Sequence, residues 1–384
     1  MTFVIICLDG FRYDYITKTE FIRQLLPKSI YGKISHGFGY ASEYSAITGR
    51  ETEELGIIAN FFYNPHFNLY SFLGFLDNGP LKKQLRLVTN LFISFTDFLK
   101  ENKQPKSIFN IPYKSIKYFD NSVKRNIFQE KVFNFPTFFE LLRHKDISAY
   151  MWPFVYENRK SKIDMLNLAI DTANTDERTF RKSISLLKKN PDICYIHFFS
   201  TDNLVHKFGV DSKKTLGLIK RLDYYVKEIL PYADKLLIYS DHGMVDVKET
   251  IDIKKIMTKS ELIHGTNYIM FLDDTLARFW VFDKNTKNTI LKILKKTKKG
   301  RFINLKDENL HKKFGEIIFI TNPGTIICPN FYQSTPHKAT HGYDDKKTSD
   351  EKGIYIFYNP QTCSSHKKDI KMKDIFRIIM EEAE

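Results

Sequence analysis

Lys235-Leu236-Leu237-Ile238-Tyr239-Ser240-Asp241-His242-Gly243-Met244 is a short apolar run that stops at an acid, an imidazole and a glycine. A run with no polar alternation suits a strand covered on both faces, as in a parallel sheet, and the ionisable pair then falls in the loop beyond its carboxyl end. The same pattern recurs twice. Residues 2–8 lead into Asp9-Gly10, and residues 192–200 lead into Thr201-Asp202, with His206 one helical turn on. A fourth segment, His341-Gly342-Tyr343-Asp344, adds one more imidazole. Loops at the carboxyl ends of neighbouring parallel strands open on one crevice, so these side chains are expected to converge.

Between the strand-like runs lie stretches with helical spacing. The run 214–230 carries Leu216, Ile219, Leu222, Val226, Ile229 and Leu230 at intervals of three or four. Further helices are expected at 42–48, ended by Gly49, and at 137–143, 171–189 and 373–382. Strands are expected at 147–152 and 354–358. Alternation of this kind predicts an α/β fold with a mainly parallel sheet sandwiched by helices.

Two excursions interrupt that core. Residues 66–131 are rich in Phe and Lys, with an amphipathic pattern at 85–99, and read as an inserted cap. Its functional reading is contact with a lipid-linked substrate or an anionic membrane surface, and its plain reading is a lid packed on the core by its Phe side chains. Residues 252–335 contain strand-like runs at 277–282 and 316–321 around a basic helix at 289–296, a β-α-β pattern for a small α+β cap subdomain. The core is accordingly assigned to 1–65, 132–251 and 336–384.

The 384 residues include 59 Lys and Arg against 45 Asp and Glu, a net charge of +14 that favours anionic partners without choosing among them. The positive charge is dispersed and no nucleic-acid module is visible, so a specific nucleic-acid partner is not expected. No run of about 18 apolar residues is present, so no spanning helix is expected. Cys7, Cys194 and Cys328 lie in apolar runs and Cys363 in a polar stretch, with no zinc-knuckle or redox spacing. With no basic leader before Phe3, the expected location is cytoplasmic.

Asp9, Asp202, His206, Asp241, His242 and His341 form a mixed oxygen and nitrogen set suited to two divalent metal ions, zinc first and manganese next. Two such ions about 3.5–4 Å apart can clamp the attacking and leaving oxygens of a displacement at phosphorus.

Several of these segments together resemble the alkaline phosphatase superfamily, and within it the nucleotide pyrophosphatase/phosphodiesterases. The points of likeness are 4–12, Thr48-Gly49, Gly56-Ile57-Ile58 with Asn60 and Tyr63-Asn64-Pro65, Asp202 to His206 with Gly209, 240–244, and 341–344. The resemblance implies an alkaline-phosphatase-like core. One metal would be held by Asp202, His206 and His341, the other by Asp9, Asp241 and His242. It further implies a Thr or Ser nucleophile that forms a covalent phospho-enzyme, with Asn60 and Tyr63 binding a small phosphorylated substrate, nucleotide-like or lipid-linked.

The chain departs from the family at that nucleophile. Counting back from Thr48-Gly49, its place is taken by Gly39, in Phe38-Gly39-Tyr40-Ala41-Ser42. Ser42 is the candidate attacking hydroxyl, with an N-cap role as its plain reading. Attack by water is the other route. The expected activity is a metal-dependent phosphodiesterase or nucleotide pyrophosphatase. The alternatives left open are a phospho-group transferase in lipid or surface-polymer assembly and a non-catalytic binding protein that keeps the metal fold.

Overall fold

The computed structural model describes residues 1–65, 111–112, 115, 117–123, 126–152, 154–163, 175–362 and 365–384. The amphipathic pattern at 85–99, most of the Phe/Lys-rich insertion and Cys363 lie outside the described residues.

The central sheet is built from β1 (Phe3–Leu8), β2 (Ser29–Ser35), β3 (Ile147–Met151), β4 (Phe154–Glu157), β5 (Lys160–Ile163), β6 (Ile193–Phe198), β7 (Lys235–Tyr239) and β8 (Gly353–Tyr358), with two short strands, His366–Lys367 and Ile370–Lys371, beside β2. Its order across is β2-β8-β7-β1-β6-β3-β4-β5. The four middle strands β7, β1, β6 and β3 run parallel, with Ile5 paired to Tyr195 on one side and to Leu237 on the other. β8 is antiparallel to both of its neighbours, and β4 and β5 close the opposite edge as antiparallel strands.

The uninterrupted apolar runs follow from burial on both faces. Phe3, Ile5 and Cys7 of β1 pack with Ile47 of α1 (Ser42–Thr48) and with Ile375 and Ile379 of the C-terminal helix Asp374–Ala383. Val4, Ile6 and Leu8 face the other way, onto Leu186 of α2 (Thr175–Leu187), Val205 of α3 (Ser200–Phe208) and Leu222 and Val226 of α4 (Lys213–Ile229). Each such fully buried side chain contributes roughly 1.5–3 kcal/mol. The result is a helix–sheet–helix sandwich, as the alternation in sequence predicts.

That packing sets one edge of the sheet. The Asp9 amide donates to the Phe198 carbonyl at 3.0 Å, which carries the β1–β6 ladder one step past the strand ends. Gly10 adopts φ +67°, and a Cβ there would stand 3.1 Å from the Asp202 Cα. Only a glycine lets the loop after β1 lie against the first turn of α3, and this brings Asp9 and Asp202 together.

A separate four-stranded sheet, in the order Tyr268–Leu272, Leu276–Val281, Ile317–Thr321, Gly300–Ile303, is antiparallel throughout. The expected strand, helix and strand are all present, as Leu276–Val281, Lys284–Lys296 and Ile317–Thr321, with the two strands paired antiparallel, and Tyr268–Leu272 and Gly300–Ile303 complete the sheet. The strand Tyr268–Leu272 joins the next through only Asp273-Asp274-Thr275, and so short a link allows a hairpin but no parallel crossover. The tip of that hairpin docks on the central edge: Thr275 donates its hydroxyl to the Gly342 carbonyl at 3.0 Å and its amide to the Tyr40 hydroxyl at 2.8 Å. Among the described residues, no helix is long and apolar enough to cross a membrane.

Asp176, in the first turn of α2, accepts from the Phe199 and Ser200 amides and so ties α2 to the start of α3. Burial raises its carboxyl to about 6 even so. A carboxyl raised on folding stabilises the fold below its unfolded value, and this contribution is lost as pH rises through the folded one. Asp176→Asn keeps an acceptor and removes the titration. Relative to the native chain, the variant is expected to gain about 2 kcal/mol of unfolding free energy between pH 4 and pH 7, given a rise from 3.8 to about 6. Urea unfolding of both proteins across that range checks this, and parallel pH profiles would refute it.

Candidate functional site

All six ionisable residues singled out in the sequence meet at the carboxyl edge of β1, β6 and β7. Asp9 follows β1, Asp202 and His206 lie on α3 just past β6, and Asp241 and His242 follow β7. His341 arrives from the segment after the short strand Ala339–Thr340, which pairs with Val245–Asp246. His242 Nε2 lies 3.4 Å from Asp9 Oδ1, 3.4 Å from Asp241 Oδ2 and 4.0 Å from Asp202 Oδ1. Asp202 Oδ1 in turn lies 3.2 Å from His206 Nε2 and 3.6 Å from His341 Nε2.

The imidazoles are held in one sense. His206 Nδ1 donates to the Ala339 carbonyl at 2.9 Å and His242 Nδ1 to the Gly243 carbonyl at 2.8 Å, so both rings turn Nε2 toward the carboxylates. The His242 and His341 rings stack with centroids 3.7 Å apart and planes 2° apart. Ligand atoms of Asp9, Asp241 and His242 lie within 4.8 Å of one another, as do those of Asp202, His242 and His341.

The electrostatics show crowding. Burial, and then the neighbouring Asp9, pushes the Asp241 carboxyl up to about 7. Burial also opposes ionisation of Asp202, but the charges of His206, His341 and His242 hold its carboxyl well below the usual range. His206 is raised to about 9, with burial overcome by Asp202, whereas burial and the stacked His242 keep His341 well below an ordinary imidazole.

Buried Asp202 Oδ1 accepts no hydrogen bond although three Nε2 atoms lie within 4.0 Å, and His341 Nδ1 is also unpartnered. Acceptor atoms that converge without donors between them are the arrangement of ligands around a cation, and three carboxylates with three imidazoles match a borderline dication.

Beside the cluster opens a cavity of about 210 Å³ whose walls include Tyr40, Asn60, His206, Asp274, His337 and His341. Asn60 thus lines the cavity beside His206 and His341. Tyr63 does not share this cavity: it stacks on Trp280 at 5.1 Å and lines a different groove, with Pro65, Phe282 and Lys313. Phe61 is buried in the core of the small sheet.

Ser42 is the first residue of α1 and is buried, and Ala41, not Ser42, takes the N-cap position. Gly39 stands at φ +91°, and a Cβ there would come 2.4 Å from the Ile58 carbonyl oxygen.

The sequence reading passed over Asp274, His337, His36 and Glu351. A His-x₃-His spacing from His337 to His341 and the acidic pair in the hairpin turn were the available signals. Glu351 is fully buried. Its carboxylate accepts from the Gly342 amide, and its carbonyl accepts from the Gly243 amide at 2.6 Å and stands 3.0 Å from His36 Nε2. One residue therefore braces the loops that carry His242 and His341.

The family model for type I phosphodiesterase / nucleotide pyrophosphatase matches residues 3–344. A comparison with curated protein sequences gives no match. Among solved structures, human ectonucleotide pyrophosphatase/phosphodiesterase 5 superposes with a TM-score of 0.67 at 17% identity, covering 100% of this chain and 95% of that one. The murine protein gives 0.65 at 15% identity with the same coverages. An inactive form of the murine protein in complex with AMP gives 0.64 at 16% identity over 99% of this chain and 94% of that one. At such identities the likeness is one of fold.

Glu351→Ala strands the Gly342 amide in a buried place, at a cost of about 1–3 kcal/mol. Urea unfolding should register that loss, and Glu351→Gln, whose amide oxygen can still accept, should recover most of it. Equal stability of Glu351→Ala and the native chain would remove Glu351 from this bracing role.

Proposed function

The chain belongs to the type I phosphodiesterase / nucleotide pyrophosphatase family, phosphodiester hydrolases of the alkaline phosphatase superfamily, and on that footing we propose that it cleaves a phosphodiester or phosphoanhydride in a small nucleotide-like substrate at the Asp9–His341 cluster. The family is metal-dependent. Our assignment gives one zinc ion to Asp9, Asp241 and His242 and a second to Asp202, His206 and His341. The observation that carries the reading is the donor-free convergence of three imidazole nitrogens on buried Asp202 Oδ1. Cations bound there supply positive charge that polarises the phosphoryl group and offsets charge building on the leaving oxygen.

The nucleotide-like substrate is supported by AMP in the complex of the related murine protein and by the cavity beside the cluster. At about 210 Å³ it is smaller than the roughly 300–1,000 Å³ of a usual small-molecule site, so it suits the phosphoryl end of a substrate whose remainder extends outward. Asn60 and Tyr40 line it next to His341, whose ring lies 5.2 Å from that of Tyr40.

We assign the attack to Ser42. Gly39 carries no side chain, and Ser42 is the hydroxyl in the first turn of α1. Glu43 beside it lies close enough to Asp241 to raise that carboxyl, which puts this turn next to the cluster. In the step proposed, an Oγ–P bond forms as the P–O bond to the leaving group breaks, and the seryl proton ends on the leaving oxygen. Water then cleaves the Oγ–P bond, releases the phosphate product and restores the Ser42 hydroxyl.

Two substitutions separate the parts of this reading. Ser42→Ala is expected to retain bound zinc and to lose on the order of a thousandfold or more in kcat on a chromogenic phosphodiester, as deletion of a nucleophile does. Unchanged kcat would transfer the attack to water. Asp241→Ala is expected to lose both zinc, read by elemental analysis, and diester turnover; full activity in that variant, or in chelator-treated native protein, would overturn the metal assignment.

A further inference from the structure

A second group of ligands lies outside the six. His206, Asp274 and His337 offer atoms within 4.8 Å of one another at the wall of the substrate cavity. They come from α3, from the hairpin tip of the four-stranded sheet and from the segment before Ala339. Two backbone and side-chain bonds fasten these parts together: the Lys338 amide donates to the His206 carbonyl at 2.8 Å, and the Thr340 hydroxyl donates to Asp274 Oδ2 at 2.8 Å.

Asp274 is buried and oriented from behind. Asn330 Nδ2 at 2.7 Å and Gln333 Nε2 at 3.1 Å donate to its Oδ1, which with the Thr340 bond fixes the carboxylate and leaves a lone pair of Oδ2 free. His337 Nδ1 stands 3.2 Å from that oxygen, shielded from solvent, and yet forms no hydrogen bond to it or to any other group. A protonated ion pair would aim its N–H at the oxygen. A nitrogen and an oxygen side by side, neither donating to the other, fit two ligands of one ion, and hydrogen bonds behind a ligand are what pre-set it.

His206 joins this pair to the inner cluster. Its Nδ1 is committed to the Ala339 carbonyl, so Nε2 is its one available ligand atom. The His206 and His337 rings lie 4.3 Å apart, and on the other side Asp202 Oδ1 is 3.2 Å away. Asp202, His242 and His341 already form a mutual group without it.

We propose that His206, Asp274 and His337 form an outer divalent-cation position at the mouth of the substrate cavity, sharing His206 with the inner cluster and taking zinc. Two imidazoles and one carboxylate are a zinc donor set that leaves a coordination place open, here toward the cavity and the phosphate oxygens of a substrate. His206 serves one position at a time, so loss of the inner ligand set favours the outer one. The inference rests on the metal reading of the inner cluster only for that shared imidazole.

The test uses the full chain, stripped with a chelator and dialysed against zinc, with bound zinc per chain measured by elemental analysis and folding checked by circular dichroism. Asp202→Asn disables the inner set and frees His206. This variant is expected to hold one zinc per chain more than Asp202→Asn/His337→Ala. Asp274→Asn, which keeps an oxygen for Asn330 and Gln333, should reproduce the effect of His337→Ala if that variant folds poorly. Equal zinc in Asp202→Asn with and without His337 would overturn the outer position while leaving the inner one standing. Native protein that binds no zinc would overturn both.

Discussion

Three carboxylates stand around one imidazole at the end of a buried sheet, and the rest of the site is arranged to tolerate them. His242 Nε2 is 3.4 Å from both Asp9 and Asp241 and 4.0 Å from Asp202. Two like charges about 4 Å apart repel by about 4 kcal/mol at a near-surface effective dielectric. His206 answers Asp202, which leaves the His242 imidazolium between Asp9 and Asp241, and His341, stacked face to face on His242, cannot hold a proton beside it. Burial first, and then the neighbouring Asp9, drives the Asp241 carboxyl up to about 7, so it keeps a proton near neutral pH. Dications resolve the same conflict without that proton, and for this reason the fold and the proposed chemistry depend on a single feature.

The sheet supplies the rigidity that such crowding needs. Leu8, Phe198 and Tyr239 end neighbouring parallel strands in matched register, so the ligands that follow start from fixed points. This part was legible in the sequence because burial on both faces leaves a continuous apolar run, and the break to an ionisable residue marks the strand end. The antiparallel β8 between β7 and β2 was not legible: Ile354 to Tyr358 is equally apolar, and direction leaves no mark on composition. The hairpin of the small sheet was missed for a related reason. Tyr268–Leu272 is a buried run of five, and its turn, Asp273-Asp274-Thr275, looks like any polar loop until the tip is seen docked on Gly342.

Proximity across the chain was the harder part to read. Motif spacing singled out six ionisable residues that the structure brings to one edge of the sheet, since each follows an element of the core. Asp274 and His337 sit 63 residues apart in a segment that gives no periodic signal, and they meet His206 only because the hairpin tip folds back over the cavity. Tyr63 shows the converse. It stands three residues after Asn60, but strand alternation and the stack on Trp280 turn it into another groove.

Gly39 stands where the resemblance in sequence expects the nucleophile, and its backbone makes it more than a missing side chain. Its φ of +91° is a conformation that a β-branched residue rarely adopts, and any Cβ would overlap the Ile58 carbonyl at 2.4 Å. That carbonyl is itself held, accepting the Tyr40 amide at 3.2 Å, while the Gly39 amide is tied to the Gly342 carbonyl at 3.2 Å. The space a threonine side chain would need is therefore occupied by main chain that also positions Tyr40 and the loop of His341. Restoring a hydroxyl at position 39 would require moving these connections together. On the reading proposed above the attacking group comes from elsewhere, and Ser42, the first residue of the following helix, is the hydroxyl we assign to it.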